Sequence, residues 1–229
     1  MAVVFLLDLD NTLIDNDLAR DRLWAATETL LGESLSRSFW EAYEAVRADR
    51  GYVDTLETLA RFHAEHPAGP QDALDRAILD FPYTEVRYPE TLAVLTALRS
   101  AGTPVVLSDG DPIFQPLKIA RSGVADAVCG NVLVFTHKDE HLVDVGRLFP
   151  AERYIAVDDK AGVLARIKMH WGDRVTTVHV LQGKYADDGY DGPAPDLVIP
   201  RIGDLPASLG TTTGDAVFEH SGTRAGRMP

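Results

Sequence analysis

The chain opens on an unbroken apolar run, Ala2 to Leu7, with β-branched Val3 and Val4 near its start. Such a run, without polar alternation, reads as a parallel strand buried on both faces. From about Asp15 to Tyr83 the apolar positions recur at helical spacing. Leu18, Leu23, Trp24, Thr27, Leu30 and Leu31 form one set, and Phe39, Trp40, Tyr43 and Val46 a second. Val53, Leu56, Leu59 and Phe62 form a third, and Leu74, Ala77, Ile78 and Phe81 a fourth. Four helices are expected, with breaks at Gly32, at Gly51 and across His66-Pro67-Ala68-Gly69-Pro70, where turn-forming residues end each pattern.

From Pro89 helix and strand alternate. Glu90 to Ala101 reads as a helix closed by Gly102, Thr103 to Leu107 as a buried strand, and Pro112 to Ser122 as a helix ended by Gly123. Ala127 to Cys129 and Val132 to Phe135 are strand-like, and Lys138 to Leu148 is helical. Arg153 to Val157, Val175 to Leu181 and Asp196 to Ile199 read as strands, with a helix from Lys160 to Met169. This alternation predicts an α/β fold: a Rossmann-like, mostly parallel sheet with helices on both faces, plus an inserted all-helical block. The expected organisation is a core of residues 1–14 and 86–210, a helical block at 15–85, and a flexible tail at 211–229, where periodicity stops. Gly183 to Pro195 reads as a polar loop.

Charge narrows the partners. The 229 residues carry a net charge of -13 with no long basic block, which argues against nucleic acid or an anionic membrane as partner. An enzyme of this charge acting on anions needs local cations to reverse the field at its site. Cys129 is the single cysteine, so no internal disulfide forms and a reducing compartment is expected. The opening run meets Asp8 too soon for a signal peptide or a membrane span. A cytoplasmic protein is expected; the sequence is silent on oligomeric state.

The candidate chemistry lies where strands end. Asp8 and Asp10 follow the first strand, Ser108 the second, and Asp158 and Asp159 the strand at 153–157. Ligand sites of open α/β sheets lie beyond the carboxyl ends of the strands, so one fold assumption brings all five to a single edge. Carboxylates crowded in this way resist joint ionisation. A hard divalent cation would relieve that repulsion, leaving one carboxylate to attack and another to carry a proton.

Asp8-Leu9-Asp10-Asn11-Thr12 resembles the first signature, Asp-x-Asp-x-Thr, of the haloacid dehalogenase-like hydrolase superfamily. Val105-Val106-Leu107-Ser108-Asp109-Gly110 is similar to its second, and Tyr154-Ile155-Ala156-Val157-Asp158-Asp159 to the adjacent-acid form of its fourth. Lys138, thirty residues after Ser108, is chosen for the third signature over Lys118 and Lys160. The helical block stands where the C1 cap of this superfamily is inserted.

The resemblance implies a magnesium-dependent phosphatase acting on a small phosphorylated metabolite. Asp8 is then the nucleophile and Asp10 the acid and base, with Thr12, Ser108, Asp109 and Lys138 around the phosphoryl group. Mg2+ would be held by Asp8, Asp10, Asp158 and Asp159, with Asp158 as direct ligand and Asp159 acting through water or orienting Lys138. Dehalogenases of the superfamily lack the acid at the position of Asp10, and phosphatases carry it. A phosphomutase would use the same residues. Two readings of other classes are a zinc peptidase, from the His-x-x-Glu-His pattern at His137 to His141, and a non-catalytic binding module. Arg20, Arg47, Arg50 and Tyr52 of the helical block either meet the substrate or lie on a solvated helix surface.

Overall fold

A computed structural model describes residues 2–186 and 188–210; the expected tail lies outside the described residues. Strand β1 (Val3–Leu7) leads into four helices, α1 (Asn16–Leu31), α2 (Glu33–Arg50), α3 (Thr55–Glu65) and α4 (Gln71–Leu79). The chain continues through α5 (Thr91–Ala101), β2 (Thr103–Asp109), α6 (Phe114–Arg121), α7 (Val124–Ala127), β3 (Val132–Phe135) and α8 (Leu142–Leu148). It ends with β4 (Arg153–Asp158), α9 (Ala161–Trp171), β5 (Val175–Val180), β6 (Leu197–Ile199) and α10 (Leu205–Ser208). Among the described residues the strands form one parallel sheet in the order β3-β2-β1-β4-β5-β6. This is the α/β, Rossmann-like architecture that the alternation predicts.

The apolar run of β1 is continuous because both faces of the sheet are covered. Phe5 and Leu7 join the core on one face with Ile155 and Val157 of β4. Val4 and Leu6 join the core on the other with Tyr154 and Ala156. Alternate residues of a strand point to opposite faces, so each buried aliphatic or aromatic side chain contributes on the order of 1.5–3 kcal/mol to one layer or the other. β1 is central, with β2 on one side and β4 on the other. The order of the strands reverses there, which places the crevice of the fold at the carboxyl end of β1.

The four helices after β1 break where the turn residues predict. Asp15 starts α1 by accepting a hydrogen bond from the Leu18 N–H at 2.8 Å, and Asp54 starts α3 by accepting from Glu57 at 2.9 Å. Gly51 closes α2 at φ 77°, a left-handed position that glycine fills without strain. The helices share a core of Phe39, Trp40, Leu59, Phe62, Leu74 and Ile78. No described helix is long and apolar enough to cross a membrane.

Two expected elements differ. Residues 127–129 are not a strand: α7 covers 124–127, and Cys129 turns the chain at φ 56°. Val124 and Val128 are both fully buried, a spacing of four that suits one helical turn better than a strand. The helix expected over 138–148 is interrupted, with a 3-10 turn at Lys138–Glu140 and α8 starting only at Leu142. The site supplies the reason.

Candidate active site

The loop leaving β1 is tightly folded. Asp8 N–H still donates to the Val157 carbonyl at 3.0 Å, continuing the ladder to β4. The chain then turns back, with Leu13 N–H and Ile14 N–H both donating to the Leu9 carbonyl at 2.9 and 3.1 Å. Asn11 takes φ 60°, a left-handed conformation that asparagine tolerates better than most residues. Its Oδ1 accepts from the Asn16 and Asp17 N–H groups at 3.0 and 3.2 Å, tying the loop to the start of α1. Gly183, at φ 70°, packs so closely on Asn11 that any side chain there would overlap it.

Below this loop lies a buried charge cluster. Lys138 Nζ is 2.5 Å from Asp8 Oδ1 and 2.7 Å from Asp158 Oδ2, and it donates to the Leu107 carbonyl at 3.2 Å. All three charged residues are buried. Asp109 Oδ1 accepts the Lys138 backbone N–H at 2.7 Å, which bends the chain into the 3-10 turn and aims the ammonium inward. Asp109 thus braces Lys138. Asp158 Oδ1 accepts the Lys160 N–H at 2.9 Å, so both of its oxygens are engaged.

Asp159 is different. It is fully buried, and among the described residues neither of its oxygens has a hydrogen-bond partner. Burial, with the charges of Asp8 and Asp158, pushes its carboxyl up to about 9. Burial also raises Asp8, against the opposing charge of Lys138. One oxygen each from Asp8, Asp158 and Asp159 lie within 4.8 Å of one another. Orphaned, buried, hard oxygen donors are the set that a magnesium-sized cation takes. The donor set fits such an ion, and Asp159 is the member free to meet it. Asp158 meets Lys138, and Asp159 presents the unengaged oxygens.

Asp10 lies nearer the open side, its side chain 30% exposed against 8% for Asp8. Lys118 Nζ is 2.5 Å from Asp10 Oδ1, an ion pair off the line of a hydrogen bond. Gln115 Nε2 donates to Asp10 Oδ2 at 3.1 Å and to Ser108 Oγ at 2.9 Å. Lys118 also donates to Asn16 Oδ1 at 2.6 Å and lies 5.4 Å over the Tyr83 ring. The three candidate lysines therefore separate: Lys138 meets Asp8, Lys118 meets Asp10, and Lys160 sits 5.0 Å over Tyr185. Thr12 is fully buried and does not border the cavity described next. Gln115 and Tyr83 carry no motif; the one sequence signal for Gln115 is its place in the first turn of the helix after Ser108.

A cavity of about 320 Å³ separates these groups from the helical block. Asp10, Asp109 and Lys118 line it from the core, and Arg20, Tyr43, Arg47 and Tyr52 from the helices. Arg50 turns away to Asp54 and Glu57 at 3.7 and 3.5 Å. His137 borders the cavity, whereas His141 stacks on Phe135 with ring centres 4.4 Å apart. The segment between them is a 3-10 turn, so the two imidazoles share no α-helical face and the zinc-peptidase reading is overturned.

The profile of the haloacid dehalogenase-like hydrolases matches residues 5–181. A solved protein of Burkholderia xenovorans LB400, described as a haloacid dehalogenase-like hydrolase, is 41% identical, with 89% of this chain and 94% of that one covered and a TM-score of 0.81. The L-2-haloacid dehalogenase of Xanthobacter autotrophicus, solved with chloropropionic acid covalently bound, is 19% identical over 92% and 99% of the two chains, with a TM-score of 0.61. The HAD-hydrolase YfnB of Bacillus subtilis, solved bound to magnesium, is 14% identical over 91% and 98%, with a TM-score of 0.58. These last two share the fold alone. No curated protein matches the sequence. With its profile match and its 41% identical relative, the chain belongs to the haloacid dehalogenase-like hydrolases.

Proposed function

We propose that this hydrolase is a magnesium-dependent phosphatase that cleaves a small phosphate monoester through an aspartyl-phosphate on Asp8. The observation that carries the reading is the second carboxylate: Asp10 faces the cavity two residues from buried Asp8, held by Lys118 and Gln115. A halide leaves without a proton, whereas an alkoxide needs one. Asp10 supplies a group with no task in dehalogenation.

Asp8 attacks phosphorus, forming an O–P bond as the ester P–O bond breaks. The leaving oxygen takes the bond's electron pair and a proton from Asp10. Water then attacks phosphorus, giving its proton to Asp10, and the Asp8–P bond breaks to release inorganic phosphate and restore both acids. Lys138, anchored by Asp158 and Asp109, holds Asp8 in position and offsets negative charge on the phosphoryl group. Asp8, Asp158 and Asp159 would hold the magnesium. When bound, magnesium supplies the positive charge that lets a dianionic ester approach clustered carboxylates in a chain of net charge -13. The magnesium of the Bacillus subtilis hydrolase supports this choice of cation. The helical block acts as a cap, and a cavity of about 320 Å³ beneath it suits a small metabolite.

The test compares p-nitrophenyl phosphate and L-2-chloropropionate, with magnesium and with chelator, in the wild type and Asp8→Asn. Magnesium-dependent phosphate release that falls at least about 10³-fold in Asp8→Asn, without chloride release, is the expected result. Chloride release without magnesium would make the protein a dehalogenase.

A further inference from the structure

The segment 15–85 carries fifteen acidic and seven basic residues. Yet the charged side chains it contributes to the cavity wall are Arg20 and Arg47, and no acid of the segment lines it. Glu44 pairs with both, at 2.6 and 3.5 Å, but does not itself border the cavity. A surface with twice as many acids as bases has turned only cations toward the ligand space.

Both arginines are braced. Arg20 lies over the rings of Trp40 and Tyr43 at 5.9 and 5.8 Å, and Trp24 stacks behind Trp40 at 5.4 Å. Arg47 is held by Glu44 at 3.5 Å, and Tyr185 lines the same cavity with Lys160 and Lys184 at 5.0 and 4.9 Å from its ring. A guanidinium already fixed in place loses little freedom on binding, and its planar fork matches a carboxylate or phosphoryl group. The first anion of a phosphate ester is assigned to the core side, where Lys138 holds Asp8 and where Asp10 and Lys118 line the cavity. The helical wall has cationic capacity that a neutral alcohol would leave unused.

We infer that Arg47, backed by Arg20, binds a second anionic group of the substrate, so that the ester cleaved is the phosphate of an acid rather than of a neutral alcohol. The inference rests on the phosphatase reading for the first anion, and the second is tested separately from it.

The probes are phosphate esters of ω-hydroxy carboxylic acids with one to four methylenes, the matching alkanediol bisphosphates, and alkyl phosphates of equal length. In the wild type with magnesium, kcat/KM for the charged ester exceeds that for the alkyl phosphate by about 10- to 100-fold at one chain length or more. The carboxylate and bisphosphate arms report which anion is preferred. In Arg47→Gln that ratio falls below about 2-fold, and Arg47→Lys restores part of it. A wild-type ratio below about 2-fold at every length, or one unchanged in Arg47→Gln, overturns the inference. If no ester is turned over, the phosphatase reading fails by itself. The same series is then titrated into the wild type by calorimetry: preferential binding of the charged members, lost in Arg47→Gln, upholds the second site, and equal or absent binding overturns it.

Discussion

Lys138 Nζ and Asp8 Oδ1 stand 2.5 Å apart although 130 residues separate them in sequence. The same nitrogen holds Asp158 at 2.7 Å, so one buried cation ties the ends of β1 and β4 to the turn after β3. Around it are three buried carboxylates, Asp8, Asp158 and Asp159. Lys160 adds a second positive charge near the same acids, so the cluster sets three carboxylates against two lysines.

Replacing Lys138 by Met leaves Asp8 and Asp158 buried without their cation. Breaking a buried pair in this way costs about 3–5 kcal/mol, to be read from urea unfolding of the chelated protein. Phosphatase kcat/KM falls by at least about 10²-fold in the same variant.

Asp159 makes the metal-free protein sensitive to pH. Its folded carboxyl is raised to about 9 from 3.8, so between those values the folded state keeps a proton that the unfolded state has lost. The stability it contributes is present below about pH 4 and is lost as pH rises toward 9. Thermal unfolding in chelator therefore shows Asp159→Asn gaining on the wild type between pH 5 and pH 8.5. Magnesium raises the wild-type Tm more at the higher pH, and this increment shrinks in Asp159→Asn.

Gln115→Ala frees the Asp10 carboxylate from one of its two holders. Alkyl phosphates, whose leaving group needs a proton, lose about 10- to 100-fold in kcat. p-Nitrophenyl phosphate, with a leaving group stable as an anion, loses less. Equal losses for both esters would remove Asp10 from the proton-donating role.

Trp40→Ala removes a ring stacked on Trp24 and edge-on to Phe39 and Tyr43. It also deletes an Nε1–H donor to Thr27 at 3.0 Å. The cost is about 3–5 kcal/mol by urea unfolding, with the loss centred on the helical wall of the cavity.

The sequence made legible what local pattern controls. The continuous run Ala2 to Leu7 marks a strand covered on both faces, and Gly32, Gly51 and the Pro-Gly turn at 66–70 mark the ends of helices. Residues after strands converge because the fold places every strand end at one edge. What stayed hidden depends on contacts distant in sequence. Asp158 closes β4 and Asp159 follows it, with an oxygen of each within 4.8 Å of the other, and only the turn at Lys138 decides which of them meets the lysine. Gln115 and Tyr83 carry no motif and reach the site through α6 and the segment after α4. The 3-10 turn at 138–140 breaks a helical pattern because the Asp109 carboxylate captures the Lys138 N–H.

The most direct test of Asp8 as nucleophile is the mass of its peptide. Wild-type protein is mixed with a hydrolysed ester and magnesium, quenched in acid within the first turnover and digested. The peptide containing Asp8 is expected to be heavier by one phosphoryl group, with no such gain in Asp8→Asn. An unmodified Asp8 peptide in samples that have already released phosphate would contradict the account.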